Sequence, residues 1–408
     1  MRKEWDRKTL GEVCIVERGS SPRPIDNYIT DSDDGVNWIK IGDTKGVTKY
    51  LYSTRQKITK EGARQSRFVK EDDIILSNSM SFGNPFIMKT QGYIHDGWFV
   101  LRLPEYLDSE YFYYLITSPN VQKQIQSLAS GAIVKNISGD LVRKVNLSFP
   151  KNISEQKRIV EILDETFAAI NKAKVNVEKN LQNAKELFEG YLQNVFANKG
   201  KDWEEKRLGD VCSLITDGKH GDCENAKDSG YYFLSAKDVR NGTLIFDGAR
   251  QIKKVGFEET HRRTNLKPGD ICMVNTGATI GRMSIAPDDI RTYKSTFQKS
   301  VAVIKTIPSL INNFYCCYLL KSDLKKLVKV SSGTAVPNLL LGDLKKHLIN
   351  LPKSLKEQQY IVAKLDELYE ETNKLEIIYK EKLNSLEELK KSILQKAFNG
   401  ELTMASIV

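Results

Sequence analysis

SEQKRIVEILDE at residues 154–165 and KEQQYIVAKLDE at 356–367 are two copies of one design, 202 positions apart. Each opens a long stretch whose apolar residues recur every three or four places. Stepping that way from Val160 gives Leu163, Phe167, Ile170, Lys174, Val177, Leu181, Ala184, Phe188, Tyr191 and Val195, all apolar except Lys174. Such a run predicts a helix with a coiled-coil seam. The same frame in the second copy runs from Val362 and Leu365 to Ile393 and Ala397, weaker but still amphipathic. Pro150 and Pro352 precede the two stretches, and Ser154 is the expected N-cap of the first, without a capping-box acid at Lys157. About 43 residues, 154–196, make a rod of roughly 64 Å at 1.5 Å per residue. Neither rod can hide its stripe alone, so the two seams are expected to pack on each other, antiparallel. Lys174 and Glu376 are equivalent polar breaks in the two seams. They are expected to approach each other, the alternative being that each reaches outward to solvent.

Outward from these stretches, the whole chain repeats. WDRKTLGEVC at 5–14 returns as WEEKRLGDVC at 203–212, DDIIL around Asp73 as GDICM around Asp270, and Ser130-Gly131-Ala132 as Ser332-Gly333-Thr334. A period near 200 residues is a duplicated domain pair, not a solenoid of short units. Ahead of each helix lie β-rich runs (36–41, 73–76, 98–103; 231–234, 270–274, 300–304) broken by Gly, Asn, Asp and Ser, then helical stretches at 109–129 and 312–330. This is the pattern of an α+β domain dominated by antiparallel strands. The expected boundaries are 1–150 and 200–352 for the globular domains, and 151–199 and 353–402 for the helices.

The chain has 408 residues, room for two or three cores, with 62 Lys plus Arg against 52 Asp plus Glu and a net charge of +10. The excess of positive charge favours a polyanionic partner. No apolar run of membrane-spanning length occurs, and MRKEWDRKTLGE lacks the apolar centre of a signal peptide, so a cytoplasmic protein that binds no membrane is expected. Six cysteines without a CxxC pair read as buried small residues.

A globular domain beginning WxxxxLG, a Ser-Gly element near its end, a proline, and EQxxIVxxLD opening a long helix, all present twice, resemble the DNA-specificity subunit of type I restriction-modification enzymes. The matching residues are Trp5 to Gly11, Ser130 to Ile137, and Glu155, Gln156, Ile159, Val160, Leu163 and Asp164. The second set is Trp203 to Gly209, Ser332 to Leu339, and Glu357, Gln358, Ile361, Val362, Leu365 and Asp366. The resemblance covers essentially the entire chain. It implies an α+β protein with a duplicated unit of two globular target-recognition domains, joined by two long antiparallel coiled-coil helices. It also implies a non-catalytic reader of a split, asymmetric double-stranded DNA site that docks two methyltransferase (modification) subunits, which restriction subunits with translocase activity then join. The alternatives are a structural coiled-coil adaptor without DNA readout and the specificity subunit of a related methylating nuclease system.

No cofactor or metal is expected. The chain has no GxxxxGK[ST] phosphate loop, and Asn84-Pro85-Phe86 reads as a turn rather than a methyltransferase motif. His220 and Cys223, near Cys212, have zinc-ligand chemistry but no counterpart in the first copy. Tyr111 to Tyr114, matched by Phe314, Tyr315 and Tyr318, fit base stacking or, better, a helical core.

Base readout calls for guanidinium, ammonium, amide and hydroxyl groups on exposed loops. Candidates in the first copy are Arg18 and Arg23, Asn78 and Ser81, and Lys135 and Asn136. The second copy offers Lys219 and His220, Asn275, Thr279 and Arg282, and Thr334 and Asn338. Base contact, phosphate contact and turn chemistry are all open to each. Arg64 and Arg67, echoed by Arg262 and Arg263, stand before equivalent strands and suit phosphate clamping. Glu155, Gln156, Arg158, Glu357 and Gln358 are the candidate partner-binding residues at the helix starts.

Overall fold

The computed structural model describes residues 5–78, 82–130, 138–240, 242–330 and 338–402. The chain divides into two bodies. One takes the residues up to Glu178 together with those from Lys380 onward, and the other spans Lys179–Tyr379. The helices Ile153–Ala197 and Leu355–Phe398 therefore each contribute to both bodies.

In the first body, a sheet is ordered Ile15–Arg18, Trp98–Arg102, Ile74–Ser77, Pro85–Met88, Tyr50–Leu51. A second five-stranded sheet includes Val36–Ile39, Gly92–Ile94 and Arg67–Val69. Most pairings are antiparallel, but Gly92–Ile94 pairs with Val36–Ile39, and Tyr50–Leu51 with Pro85–Met88, in parallel. The second body repeats the first sheet as Cys212–Asp217, Val301–Thr306, Ile271–Val274 and Met283–Ile285. In both bodies the first strand pairs with the last one before the long helix, and Trp5 faces Pro150 as Trp203 faces Pro352. The single helical stretch expected after the sheet is two helices in each copy. Ser109–Thr117 ends where Pro119 starts Pro119–Ser130, and Asn313–Ser322 ends at Asp323 before Leu324–Val330. Proline lacks the N–H needed to continue a helix, which accounts for the first break.

The EQxxIVxxLD motif is a latch between each globular region and its long helix. Gln156 is fully buried. Its Oε1 accepts the Asp108 amide at 2.9 Å, and its Nε2 donates to the carbonyls of Tyr106 and Pro150 at 3.1 and 2.9 Å. Gln358 repeats this with Asn312 (2.8 Å), Leu310 (3.2 Å) and Pro352 (2.9 Å). Asp108 and Asn312 in turn cap the next helix by accepting the amides of Tyr111 and Tyr315. The indoles of Trp5 and Trp203 donate to Glu155 and Glu357 at 3.4 and 2.9 Å. The motif aspartates, Asp164 and Asp366, accept from the hydroxyls of Tyr114 and Tyr318. Leu163 and Leu365 are fully buried between these anchors.

Gln156 and Gln358 are therefore not surface contacts for a partner, because every polar atom of their amides is used inside the fold. Arg158 does lie exposed. The N-cap is also two residues earlier than expected: Asn152 Oδ1 accepts the Ser154 amide at 2.8 Å.

Within the first body the long helices run antiparallel. Ile159, Leu163, Phe167 and Ile170 share a core with Leu386, Ile393, Leu394 and Phe398. Within the second, Phe188, Leu192 and Phe196 pack with Ile361, Val362 and Leu365. The Lys174 ammonium pairs with Glu387 at 2.7 Å rather than with Glu376. The antiparallel register sets Phe167 under Lys390, so the residue facing Lys174 lies further along the second helix than the equivalent repeat position. Of the apolar residues outside the predicted seam, Ile162 and Leu192 are buried and Leu187 is exposed.

All six cysteines are buried and unpaired, and burial pushes the Cys14 thiol up to about 12. No described helix is long and apolar enough to cross a membrane.

Candidate nucleic-acid interface

A glycine fixes the central loop of each body. Gly19 follows the strand Ile15–Arg18 and donates its amide to the Trp98 carbonyl at 2.8 Å. A Cβ added there would overlap the His95 carbonyl oxygen. Gly218 follows Cys212–Asp217, donates to Val301 at 3.2 Å, and would overlap the Phe297 carbonyl in the same way. These loops must press backbone against backbone, which only glycine permits. Asn78 and Asn275 are also equivalent, donating their backbone N–H groups to the carbonyls of Gly97 (2.9 Å) and Ser300 (3.0 Å).

On this shared frame the side chains differ. In the first body Arg18 is exposed and donates through Nε to the Asp96 carbonyl at 3.2 Å. Ser21 donates to the Asp96 carboxylate at 3.0 Å, and Arg23 lies 3.5 Å from that carboxylate. Ser20 and Ser66 join the loop to the segment carrying Arg64 by hydrogen bonds to the Gln65 and Ser20 carbonyls. Stretches distant in sequence, 18–23, 64–67 and 78, thus converge on the turn His95-Asp96-Gly97. That turn was absent from the candidate set. Its Asp-Gly pair just ahead of a strand is a turn signal that could have flagged it.

In the second body the position of Arg18 is taken by Asp217, because Arg18 pairs with Phe99 as Asp217 pairs with Ala302 in equivalent strands. Asp217 holds His220 at 3.1 Å and also binds the Arg263 guanidinium. Lys219 pairs with Glu259 at 3.0 Å, and its amide donates to Phe297. Asn338 accepts from the Thr276 hydroxyl at 2.9 Å, and Thr279 is half-buried beside exposed Arg282.

The arginine pairs divide. Arg67 is tied to Glu17 at 3.1 Å, and Arg263 to Asp217. Arg64, Arg262 and Arg282 are exposed and carry no side-chain hydrogen bond or ion pair among the described residues. Arg262 and Arg263 end the helix Lys254–Thr264 rather than a loop. Charges left unpaired at the surface are the ones available to a phosphate backbone.

Two candidates are corrected. Asn78 and Asn275 are buried, and Asn78 Nδ2 is spent on the Asp96 carbonyl at 2.8 Å, so they support the loops rather than meet bases directly. Ser81, Lys135, Asn136 and Thr334 lie outside the described residues. The zinc reading fails on packing, since Cys212 and Cys223 belong to different cores and His220 turns to Asp217. Of the aromatic residues, Tyr111, Phe112, Tyr114, Tyr315 and Tyr318 are core. Burial also holds the His95 imidazole, flanked by Trp38 and Trp98, below its ordinary value of 6.5, against the pull of Asp96.

The model of the type I restriction modification DNA specificity domain matches residues 2–179 and again 200–388. Among characterised relatives, the EcoBI specificity subunit of Escherichia coli is 24% identical over 98% of this chain and 86% of its own length. The MjaIX specificity subunit of Methanocaldococcus jannaschii is 23% identical over 99% and 95%. A structure solved for complex assembly and conformational transition of the type I R-M system superposes with a TM-score of 0.81 at 20% identity, covering 98% of this chain and 99% of that one. The HsdS subunit from Thermoanaerobacter tengcongensis gives 0.62 at 20% identity, covering 98% of both. Two matched domains, the latch motif in each copy and a shared fold over nearly the full length place the chain in the type I restriction-modification DNA specificity family, as a non-catalytic subunit for DNA sequence recognition.

Proposed function

We propose that each body reads one half of a split, asymmetric duplex site, and that the chain brings this readout to two methyltransferase subunits, with restriction and translocase subunits joining them. The observation that carries this reading is the contrast between equivalent loops. Arg18-Gly19-Ser20-Ser21 and Asp217-Gly218-Lys219-His220 occupy the same glycine-anchored position with opposite charge at its head. Two readers with such different chemistry suit two different half-sites.

In this reading Arg18 and Arg23 serve the first half-site, and Lys219, His220, Thr279 and Asn338 the second. Arg64, Arg262 and Arg282 neutralise phosphates, with Arg67 and Arg263 held in reserve by their carboxylates. Lys135, Asn136, Ser81 and Thr334 belong to the same proposal on sequence alone. Exposed Arg158, beside the latch, is offered to a partner subunit, as are the outer edges of Glu155 and Glu357. The globular regions 1–150 and 200–352 act as separable modules, and 151–199 and 353–402 as their helical supports.

The test is to sequence methylated sites in DNA from cells carrying the chain with its methyltransferase partner. Exchanging residues 1–150 for those of a relative should change one half-site and leave the other. Arg64→Ala should weaken binding to all sequences alike and lower the salt slope by about 1. Simultaneous change of both half-sites would contradict modular reading.

A further inference from the structure

Because the two bodies share one plan, a side chain present in one and missing from the other is informative. In the first body the Lys49 carbonyl accepts the Ile87 amide at 2.9 Å, just before Tyr50–Leu51 runs parallel to Pro85–Met88. The Lys49 side chain is only 12% exposed. Its ammonium meets Glu110 at 2.5 Å and Asp164 at 3.5 Å, and stands 4.3, 5.2 and 5.3 Å from the ring centres of Tyr114, Tyr50 and Tyr113. This is an aromatic cage closed by two carboxylates, a site selective for a cation.

The second body keeps one ring and one carboxylate of this cage and lacks its lysine. Ile271 pairs with Ile285 as Ile74 pairs with Ile87, so Ser284 stands where Phe86 stands. The residue bridged in parallel to Ser284 is Gly242, in the place of Lys49. Counting from the helix caps Asp108 and Asn312, Glu110 becomes Phe314 and Tyr113 becomes Cys317, while Tyr114 is kept as Tyr318. Lys49 and Phe86 give way to the smaller Gly242 and Ser284, and a cavity of about 520 Å³ opens, lined by Gly242, Arg282, Ser284, Tyr318, Lys321 and Asp366, with Phe314 and Tyr369 also on its wall. A Cβ at Gly242 would meet nothing within 4 Å. Asp366 accepts from Tyr318 at 2.6 Å but, unlike Asp164, has no ion pair among the described residues. The buried Ser284 hydroxyl has no partner either. Lys321 lies 5.1 Å from the Tyr318 ring without pairing to Asp366.

We infer that this cavity receives a lysine side chain from another protein chain, seated against Asp366 and Tyr318 as Lys49 is seated against Asp164 and Tyr114. Asp366 supplies the charge, Tyr318 the ring face, and Phe314 and Tyr369, 46% and 43% exposed, an apolar rim for the partner's backbone. The inference rests on the proposed role in a multi-subunit assembly and names the methyltransferase subunit as the donor.

The test compares Gly242→Lys with Gly242→Met in the full chain. Both variants carry the same backbone strain at a φ of +75°, so it cancels in the comparison. The lysine variant should melt about 2–4 °C above the methionine variant, the shift one caged cation produces in a body of this size, and Asp366→Asn should erase the difference. Filling the cavity from within should also weaken binding of the methyltransferase subunit by about tenfold or more. Equal melting of the two variants would overturn the cage, and undiminished subunit binding by Gly242→Lys would overturn the lysine donor. Destabilisation by Lys321→Ala equal to that of Lys49→Met would show the chain's own lysine filling the site, which also overturns it. If the unaltered chain binds no methyltransferase subunit, the assembly reading fails separately, and the melting pair still decides the cage.

Discussion

Replacing Gln156 by Leu keeps the volume at the helix start and removes three hydrogen bonds from a fully buried place. The Asp108 amide loses its acceptor, at a cost of about 1–3 kcal/mol for a buried donor left unpaired. The carbonyls of Tyr106 and Pro150 each lose a donor, about 0.5–1.5 kcal/mol apiece, so the variant should lose about 2–6 kcal/mol, centred near ~4. In a body of this size one kcal/mol moves the midpoint by about 2–4 °C, so calorimetry of the full chain should show a fall of roughly 8–16 °C. Gln156→Glu, which sets a buried carboxylate against both carbonyl oxygens, should cost at least as much as Gln156→Leu. Gln358→Leu should cost the second body as much, because its three partners match in kind and distance. A surface residue recognising a partner would behave oppositely, with unchanged melting and weakened assembly. A loss below about 1 kcal/mol would refute the latch.

Three further outcomes are expected. Gly19→Ala and Gly218→Ala force each loop off a backbone carbonyl; each should lose about 1–3 kcal/mol in urea unfolding and weaken one half-site only, so equal damage to both would argue against separate readers. The depressed His95 value means that the unfolded chain takes up the proton more readily, so the stability it contributes is complete above 6.5 and drains as pH falls toward the folded value. Melting of the first body between pH 7.5 and 5 should show this, and His95→Gln should flatten that slope. Lys49→Met leaves Glu110 and Asp164 facing each other without a cation and should cost about 1–3 kcal/mol, a range reduced for the partial exposure of the carboxylates. A neutral result in thermal unfolding would remove the model on which the second-body cavity is interpreted.

The sequence carried the duplication, the two long helices and the strand-rich domains ahead of them because periodicity and repeat are local signals. It carried less of what the motif does. Glu155 and Gln156 look like exposed polar residues at a helix start, yet their partners, Trp5, Tyr106, Asp108 and Pro150, lie on other elements that only the fold assembles. The same limit hid the His95-Asp96-Gly97 turn, which gathers Arg18, Ser21, Arg23 and Asn78 from separate loops. It also put Lys174 opposite the wrong glutamate, since equivalence between repeats does not determine the register of two antiparallel helices.

What stays constant and what varies between the copies fall in different places. The buried glutamine, the Trp–Glu contact, the Tyr–Asp contact and the glycine against a carbonyl are the same in both bodies. Each fixes backbone to backbone, or ties the long helix to a neighbouring element, so each supports the frame from which the exposed loops project. The head of the loop, Arg18 in one copy and Asp217 in the other, reverses its charge on that unchanged support. In the proposed reading, specificity changes through a few exposed side chains, because the energy that holds the loops is supplied by residues facing inward. Lys49 and Gly242 break the pattern, since they differ within the supporting frame itself, next to the latch aspartates. A difference there lies away from the proposed reading loops, and under the proposed assembly it gives a partner subunit a surface that distinguishes one body from the other.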